Sequence, residues 1–210
     1  MITLKRATPE AIRYACLNFH YAKVVPSAQY AYNVYNEQGE WCGVIIYGVG
    51  ANVHIATPFG MANGEVLELV RVALNGKQPC TSECVAASLK QIHKDAPQVK
   101  LVVSYADMDQ EHIGTIYQAT NWLYLGNMNV GGRGGFWING KRMHPKSVHS
   151  RGWVESVEWL KANVDPCSRE IKTKGKRKYI WVYDKKLRKE WQKKALPYPK
   201  KPCGSSSTAE

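Results

Sequence analysis

Residues Glu65-Val-Leu-Glu-Leu-Val-Arg-Val-Ala-Leu74 form a branched, nearly unbroken apolar run, closed by Asn75-Gly76 and followed by a helix start at Thr81-Ser82-Glu83. A second such run, Val99-Lys-Leu-Val-Val-Ser-Tyr105, ends on Ala106-Asp107. Strand, helix and strand at this spacing commit the middle of the chain to a sheet with a helix reaching roughly His93 packed on it. The junction also aims a helix N-terminus at the end of the preceding strand, where free backbone N–H groups favour phosphate.

The flanks extend this pattern. Thr8-Pro9-Glu10 opens a helix running to about Phe19. Tyr30 to Tyr35 and Trp41 to Tyr47 read as an antiparallel hairpin around Asn36-Glu-Gln-Gly39-Glu40. A short helix from Ile113 to Asn121 and a strand at Leu123-Tyr-Leu-Gly126 follow, then a hairpin around Asn139-Gly140. Beyond it come a helix near Val154 to Ala162, an aromatic strand Tyr179-Ile-Trp-Val-Tyr183 and a basic helix from Lys185 to Lys194. The class is α+β, a central mixed sheet flanked by helices.

Charge divides the chain unequally. Of 29 Lys+Arg and 17 Asp+Glu, residues 1–140 carry ten of each, so the whole net charge of +12 belongs to the last third. A one-sided basic surface with aromatics mixed in suits a polyanion, because phosphate contacts release condensed counterions. The expected organisation is a catalytic core over 1–140, a basic and aromatic extension over 141–200 packed on it, and a disordered tail over 201–210. No apolar run reaches the ~20 residues of a membrane span, and the start lacks the pattern of a signal peptide, so a cytoplasmic protein is expected. The six cysteines lack the spacing of a disulfide framework or zinc site and read as reduced thiols.

Three clusters carry candidate chemistry. Asn18-Phe19-His20-Tyr21 follows the first helix, and a His beside a Tyr serves proton transfer or packs on a base. Glu68-Leu-Val-Arg71 lies on an apolar strand; strict alternation puts Arg71 on the face of Leu69, opposite Glu68, as an anchor for phosphate or carboxylate. Ser104-Tyr105-Ala106-Asp107-Met108-Asp109 sits where a buried strand becomes a loop. Asp107 there is a candidate base, and Asp107 and Asp109 with His20 or His112 are candidate ligands for iron or another divalent ion.

Ser104-Tyr-Ala-Asp107, followed by Gly114-Thr-Ile-Tyr-Gln-Ala-Thr-Asn-Trp122 and Tyr124-Leu-Gly126, resembles the signature of the Mom family, phage DNA-modification proteins. Phe19-His20-Tyr21, Glu68-Leu-Val-Arg71 and Lys178 to Tyr183 fit the same pattern in order, and the similarity spans roughly residues 15–200. The resemblance implies a fold like the GNAT acetyltransferases. It also implies placement of a carbamoylmethyl group on the exocyclic amine of adenine in double-stranded DNA, which protects phage DNA from restriction.

On that reading the base must leave the stack. Asp107 and then His20 are the candidate proton acceptors; Tyr21, Tyr105 and Trp122 are candidates to stack the base. Arg71, Lys77, Thr81 and Ser82 would hold the donor, and Lys174, Lys176, Arg177 and Lys178 the DNA backbone. Acetyl-coenzyme A is the donor by fold analogy, although Asn75-Gly-Lys-Gln-Pro-Cys-Thr81 has one glycine where GNAT loops have more. Product chemistry points instead to glycyl-tRNA, since a carbamoylmethyl group holds a nitrogen that acetyl lacks. The alternatives are an N-acetyltransferase of a protein or small molecule and a non-enzymatic DNA-binding accessory protein.

Overall fold

The Thr8 hydroxyl accepts the Ala11 N–H at 3.3 Å and Pro9 fills the first turn, fixing the start of helix α1 (Pro9–Phe19). The computed structural model describes residues 2–50 and 54–200; the expected tail and Cys203 lie outside them. The described cysteines are all free thiols. In order the other elements are β1 (Thr3–Arg6), β2 (Tyr30–Tyr35), β3 (Trp41–Gly48), β4 (Val66–Leu74), α2 (Thr81–Asp95), β5 (Leu101–Asp107), α3 (Thr115–Ala119) and β6 (Leu123–Met128). Then come β7 (Arg133–Ile138), β8 (Lys141–Met143), α4 (Pro145–His149), α5 (Val157–Asn163), β9 (Arg169–Lys172), β10 (Lys176–Val182) and α6 (Lys185–Gln192).

The chain forms two units. The first comprises Met1–Tyr105, Gly114–Gly126 and Lys178–Glu210; the second comprises Ala106–Ile113 and Asn127–Arg177. The expected boundary at residue 140 is therefore displaced. Residues that read as part of a basic appendage return to the core, because β10 carries the apolar alternation Ile180 and Val182 that completes a sheet.

That sheet has seven strands in the order β1-β2-β3-β4-β5-β10-β6. Strands β1 to β4 pair antiparallel, and β4 pairs parallel with β5, so the sheet is mixed as expected. On one face the Tyr32 hydroxyl donates to Asp95 at 2.7 Å and Tyr47 bonds Ser88 at 2.6 Å, tying β2 and β3 to α2. On the other, α1 buries Ala15 and Cys16 against Ala31, Val44, Ile46 and Ala73. That second face continues as a cluster of Val66, Leu101, Val103, Ile180 and Val182, covered by Ile55, Phe59, Leu187 and Trp191. Burying these chains supplies the main driving force for folding.

The second unit is a three-stranded antiparallel sheet, β8-β7-β9. Its core is Phe136, Ile138, Val148 and Leu160. Asn139 and Gly140, with φ of 49° and 71°, make the tight turn that their dipeptide predicts. Among the described residues no helix is long and apolar enough to cross a membrane.

Candidate active site

Strands β4 and β5 pair only from Val66–Leu101 to Glu68–Val103, although β4 runs on to Leu74 and β5 to Asp107. Beyond Glu68 they part, and the Ser104 hydroxyl supplies what the ladder no longer does by donating to the Leu69 carbonyl at 2.9 Å. The same hydroxyl shares a 2.8 Å hydrogen bond with Tyr117 on α3.

The parting coincides with a β-bulge. Ile46 pairs with Arg71 and its neighbour Tyr47 with Leu69, so Val70 is the extra residue. Tyr47 faces α2 and Ile46 faces α1, which puts Leu69 on the α2 face and Arg71 on the α1 face. Glu68, opposite Gly48, also takes the α1 face. Strict alternation had separated Glu68 from Arg71; the bulge reverses that parity and places both on one face.

Arg71 reaches the end of α1. Its Nη1 lies 2.8 Å from His20 Nδ1 and 3.2 Å from Nε2, and the Ala22 N–H donates to Nδ1 at 3.1 Å. Two fixed donors aimed at Nδ1 assign it the lone pair, so the neutral ring carries its proton on Nε2. His20 is thus set up as a hydrogen-bond donor. Tyr21 stacks on it with ring centroids 4.3 Å apart and is 51% exposed. Arg71 Nε is buried with no hydrogen-bond partner, a donor still to be satisfied.

Tyr105 projects from β5 into the cluster on the same face. Burial, with the Glu68 carboxylate adding, pushes its phenol up to about 12. Burial likewise raises Tyr117 to about 12, the Ser104 bond opposing and Glu68 and Tyr21 adding. Both hydroxyls keep their protons at neutral pH. The Glu68 carboxylate packs against Gly50, where a Cβ would displace it. Arg71, His20 and Tyr21 are thus in contact, and Tyr105 lies on the same face within the field of Glu68. Glu68 and Tyr117 join them; their signals were the acid in an otherwise apolar strand and the tyrosine within the Gly114–Trp122 block.

The remaining candidates are placed otherwise. Asp107, the last residue of β5, caps a short 3-10 turn by accepting the Asp109 N–H at 2.9 Å. Asp109 is a structural hub of the second unit: its carboxylate accepts from the Lys174 N–H, the Thr173 hydroxyl and Arg142 at 2.8, 2.9 and 3.1 Å. Those bonds outweigh burial and hold it below its ordinary value. Among the described residues no group of three or more His, Cys, Asp or Glu is arranged to hold a metal ion, so the expected iron site finds no support. Trp122 is fully buried against Tyr117 and Trp181, which removes it as a stacking partner for a base.

At the start of α2, Lys77 is paired to Glu40 at 3.0 Å, Thr81 accepts from Gln78, and Ser82 bonds Cys80 at 2.9 Å. The Ser82 hydroxyl and the amides of Glu83 and Ser82 pull the Cys80 thiol below its ordinary value, so sulfur takes part of the helix-start field. The expected DNA-backbone run is split. Lys174, Lys176 and Arg177 belong to the second unit, with Arg177 donating to the His112 carbonyl at 2.8 Å. Lys178 belongs to the first, half-buried with its ammonium 4.4 Å from the Phe59 ring, and burial lowers it.

The sequence profile of the Mom protein family matches residues 1–200. No curated protein sequence matches the chain. Among solved structures, a mutant form of the spermidine/spermine N-acetyltransferase SpeG of Vibrio cholerae is 9% identical, covering 90% of this chain and 99% of that one at a TM-score of 0.50. A dodecameric spermidine N-acetyltransferase of the same organism is 10% identical over 90% and 97% of the two chains, again at 0.50. The fold is thus that of the GNAT acetyltransferases.

Proposed function

Because the chain belongs to the Mom protein family, we propose that it is an acyl-transfer enzyme that acts on the exocyclic amine of adenine in DNA and leaves a carbamoylmethyl group there. The observation that carries this reading is the convergence of His20, Tyr21, Glu68, Arg71 and Tyr105 on one sheet face where β4 and β5 part.

The adenine amine is a weak nucleophile, and its attack on an acyl carbon needs a proton acceptor and a stabiliser for the developing oxyanion. Glu68 is the acceptor this reading selects, in place of Asp107. Arg71 and the His20 Nε2–H are donors suited to the oxyanion. Tyr105 and Tyr117, protonated at working pH, are suited to protonate the leaving group. Tyr21, an aromatic ring at the rim of the site and partly exposed, suits contact with the extruded base. As the C–N bond forms, the bond from the acyl carbon to its carrier breaks and the amine proton passes to Glu68.

The parted strands suit the extended arm of an acyl thioester, whereas the α2 start suits its phosphates poorly, with Lys77 paired and the first amides turned to Cys80. A glycyl ester on tRNA accounts for the nitrogen in the product. After glycyl transfer, the free glycyl amine would attack the ring carbon to close a five-membered intermediate. The original bond from that carbon to the acylated nitrogen would then break, freeing that nitrogen as the terminal amide and leaving the glycyl nitrogen on the ring.

The test is nucleoside mass spectrometry on DNA from cells expressing the protein, beside Glu68→Gln, with labelled glycine supplied. A heavier deoxyadenosine that carries the label and is lost in the variant is expected. Unmodified DNA from well-expressed folded protein would favour an N-acetyltransferase of a protein or small molecule. A label that never enters the modified base would remove the glycyl donor.

A further inference from the structure

Strand β7 carries a tryptophan between two arginines. Trp137 pairs across the ladder with Arg142 on β8 and with Arg169 on β9, so the three side chains form one row on one face of the sheet. Phe136 and Ile138 alternate with it onto the opposite face and are fully buried in the core of the second unit. The row is consequently the outer face. Trp137 is 36% exposed there, and the Arg169 guanidinium carbon lies 5.6 Å from its ring centroid. Arg142 is fixed by bonds to Asp109 and to the Gly134 carbonyl at 3.1 and 3.2 Å. Arg169 has no acidic partner among the described residues.

We propose that this row is a stacking platform for an unpaired nucleotide of a single-stranded nucleic acid, with the indole taking the base and the flanking arginines its phosphates. An aromatic side chain projecting from a rigid sheet suits the π-face of any base, and neighbouring cations track the backbone. A duplex hides its base faces, so it would engage the arginines alone. An acidic peptide would also meet the arginines but brings no planar group for the indole. The surrounding field has the required sign: burial first, and then Lys146, Lys176 and Arg142, hold His144 below its ordinary value. The platform is compatible with the DNA-modification reading, where a strand is unpaired as a base leaves the helix, but its test involves no turnover.

The full chain is titrated by fluorescence anisotropy against labelled dT15, rU15 and a duplex of equal length over a range of salt. Trp137→Ala is expected to weaken single-strand binding on the order of 10-fold or more while leaving duplex binding unchanged, and Trp137→Phe to keep most of the affinity. Arg169→Ala is expected to lower the magnitude of the single-strand salt slope by about 0.7. The dT15 and rU15 arms decide which strand the platform accepts, and loss on either supports it. Unchanged binding of both strands by Trp137→Ala, equal loss on duplex, or no single-strand binding by the wild-type chain overturns the platform. None of these outcomes bears on whether deoxyadenosine is modified. Since Trp137 and Arg169 are surface residues, melting curves matching the wild type are expected to accompany each variant.

Discussion

Glu68 and Arg71 lie on the same face of β4 although three positions separate them, because Val70 is an extra residue in the ladder with β3. A strand of regular pleat would have sent one of them into the α2 side of the sheet. Glu68→Gln is therefore expected to lower turnover about 100-fold or more while leaving the melting temperature near wild type, as measured by modified deoxyadenosine per folded protein. Arg71→Lys is expected to fail as a rescue, since a lysine cannot present the planar fork that reaches His20. Activity close to wild type in both variants would remove this pair from the mechanism.

Trp122 and Tyr21 separate stability from catalysis. Trp122→Ala is expected to cost roughly 3–5 kcal/mol, since it leaves a cavity beside Tyr117 and Trp181, while Trp122→Phe retains turnover per folded molecule. Tyr21→Ala, at an exposed position, is expected to leave stability within ~0.5 kcal/mol and to lose activity. Chemical denaturation beside the nucleoside assay distinguishes the two; the reverse pattern would mean that Trp122 meets the base.

Asp109 holds the second unit together through bonds to Lys174, Thr173 and Arg142. Asp109→Ala is expected to destabilise the protein by roughly 2 kcal/mol or more, with no recovery on adding divalent iron. Its carboxyl is held below the usual value of 3.8, so the stability it contributes is present above that pH and is lost as pH falls through the depressed value. Metal-dependent recovery of the melting temperature would contradict the structural role.

His144 makes stability depend on pH in a milder range. Burial and the cations around it disfavour the imidazolium, and its Nδ1 accepts the Lys146 N–H at 3.1 Å, which protonation would break. Because the folded value lies below 6.5, the ring is neutral in both states well above that pH and costs nothing there. As pH falls through 6.5 the unfolded chain takes up the proton first, and stability drops. His144→Asn keeps an acceptor without titrating, so the decline in melting temperature between pH 7.5 and 5 is expected to be shallower in the variant.

Local chemistry made the order of elements legible. The Thr8 cap, the Asn139-Gly140 turn and the apolar periodicities around residues 66–74 and 101–107 act over a few residues, so the sequence displays them directly. The Gly114–Trp122 block, with His20, Tyr21 and Arg71, carried the family for the same reason, as side-chain types at fixed spacing. Three facts were decided only by tertiary structure. Strand β10, read from its lysines as an appendage, lies between β5 and β6, because strand order is set by which apolar faces meet across more than fifty residues of chain. Trp122, a candidate to stack the base, is buried against its neighbour Tyr117 and against Trp181 from the distant strand β10. The bulge at Val70, which brings Glu68 to Arg71, is a one-residue slip that leaves no mark in composition or period. It falls where β4 stays paired with β3 on one side and parts from β5 on the other, a relation between strands distant in sequence.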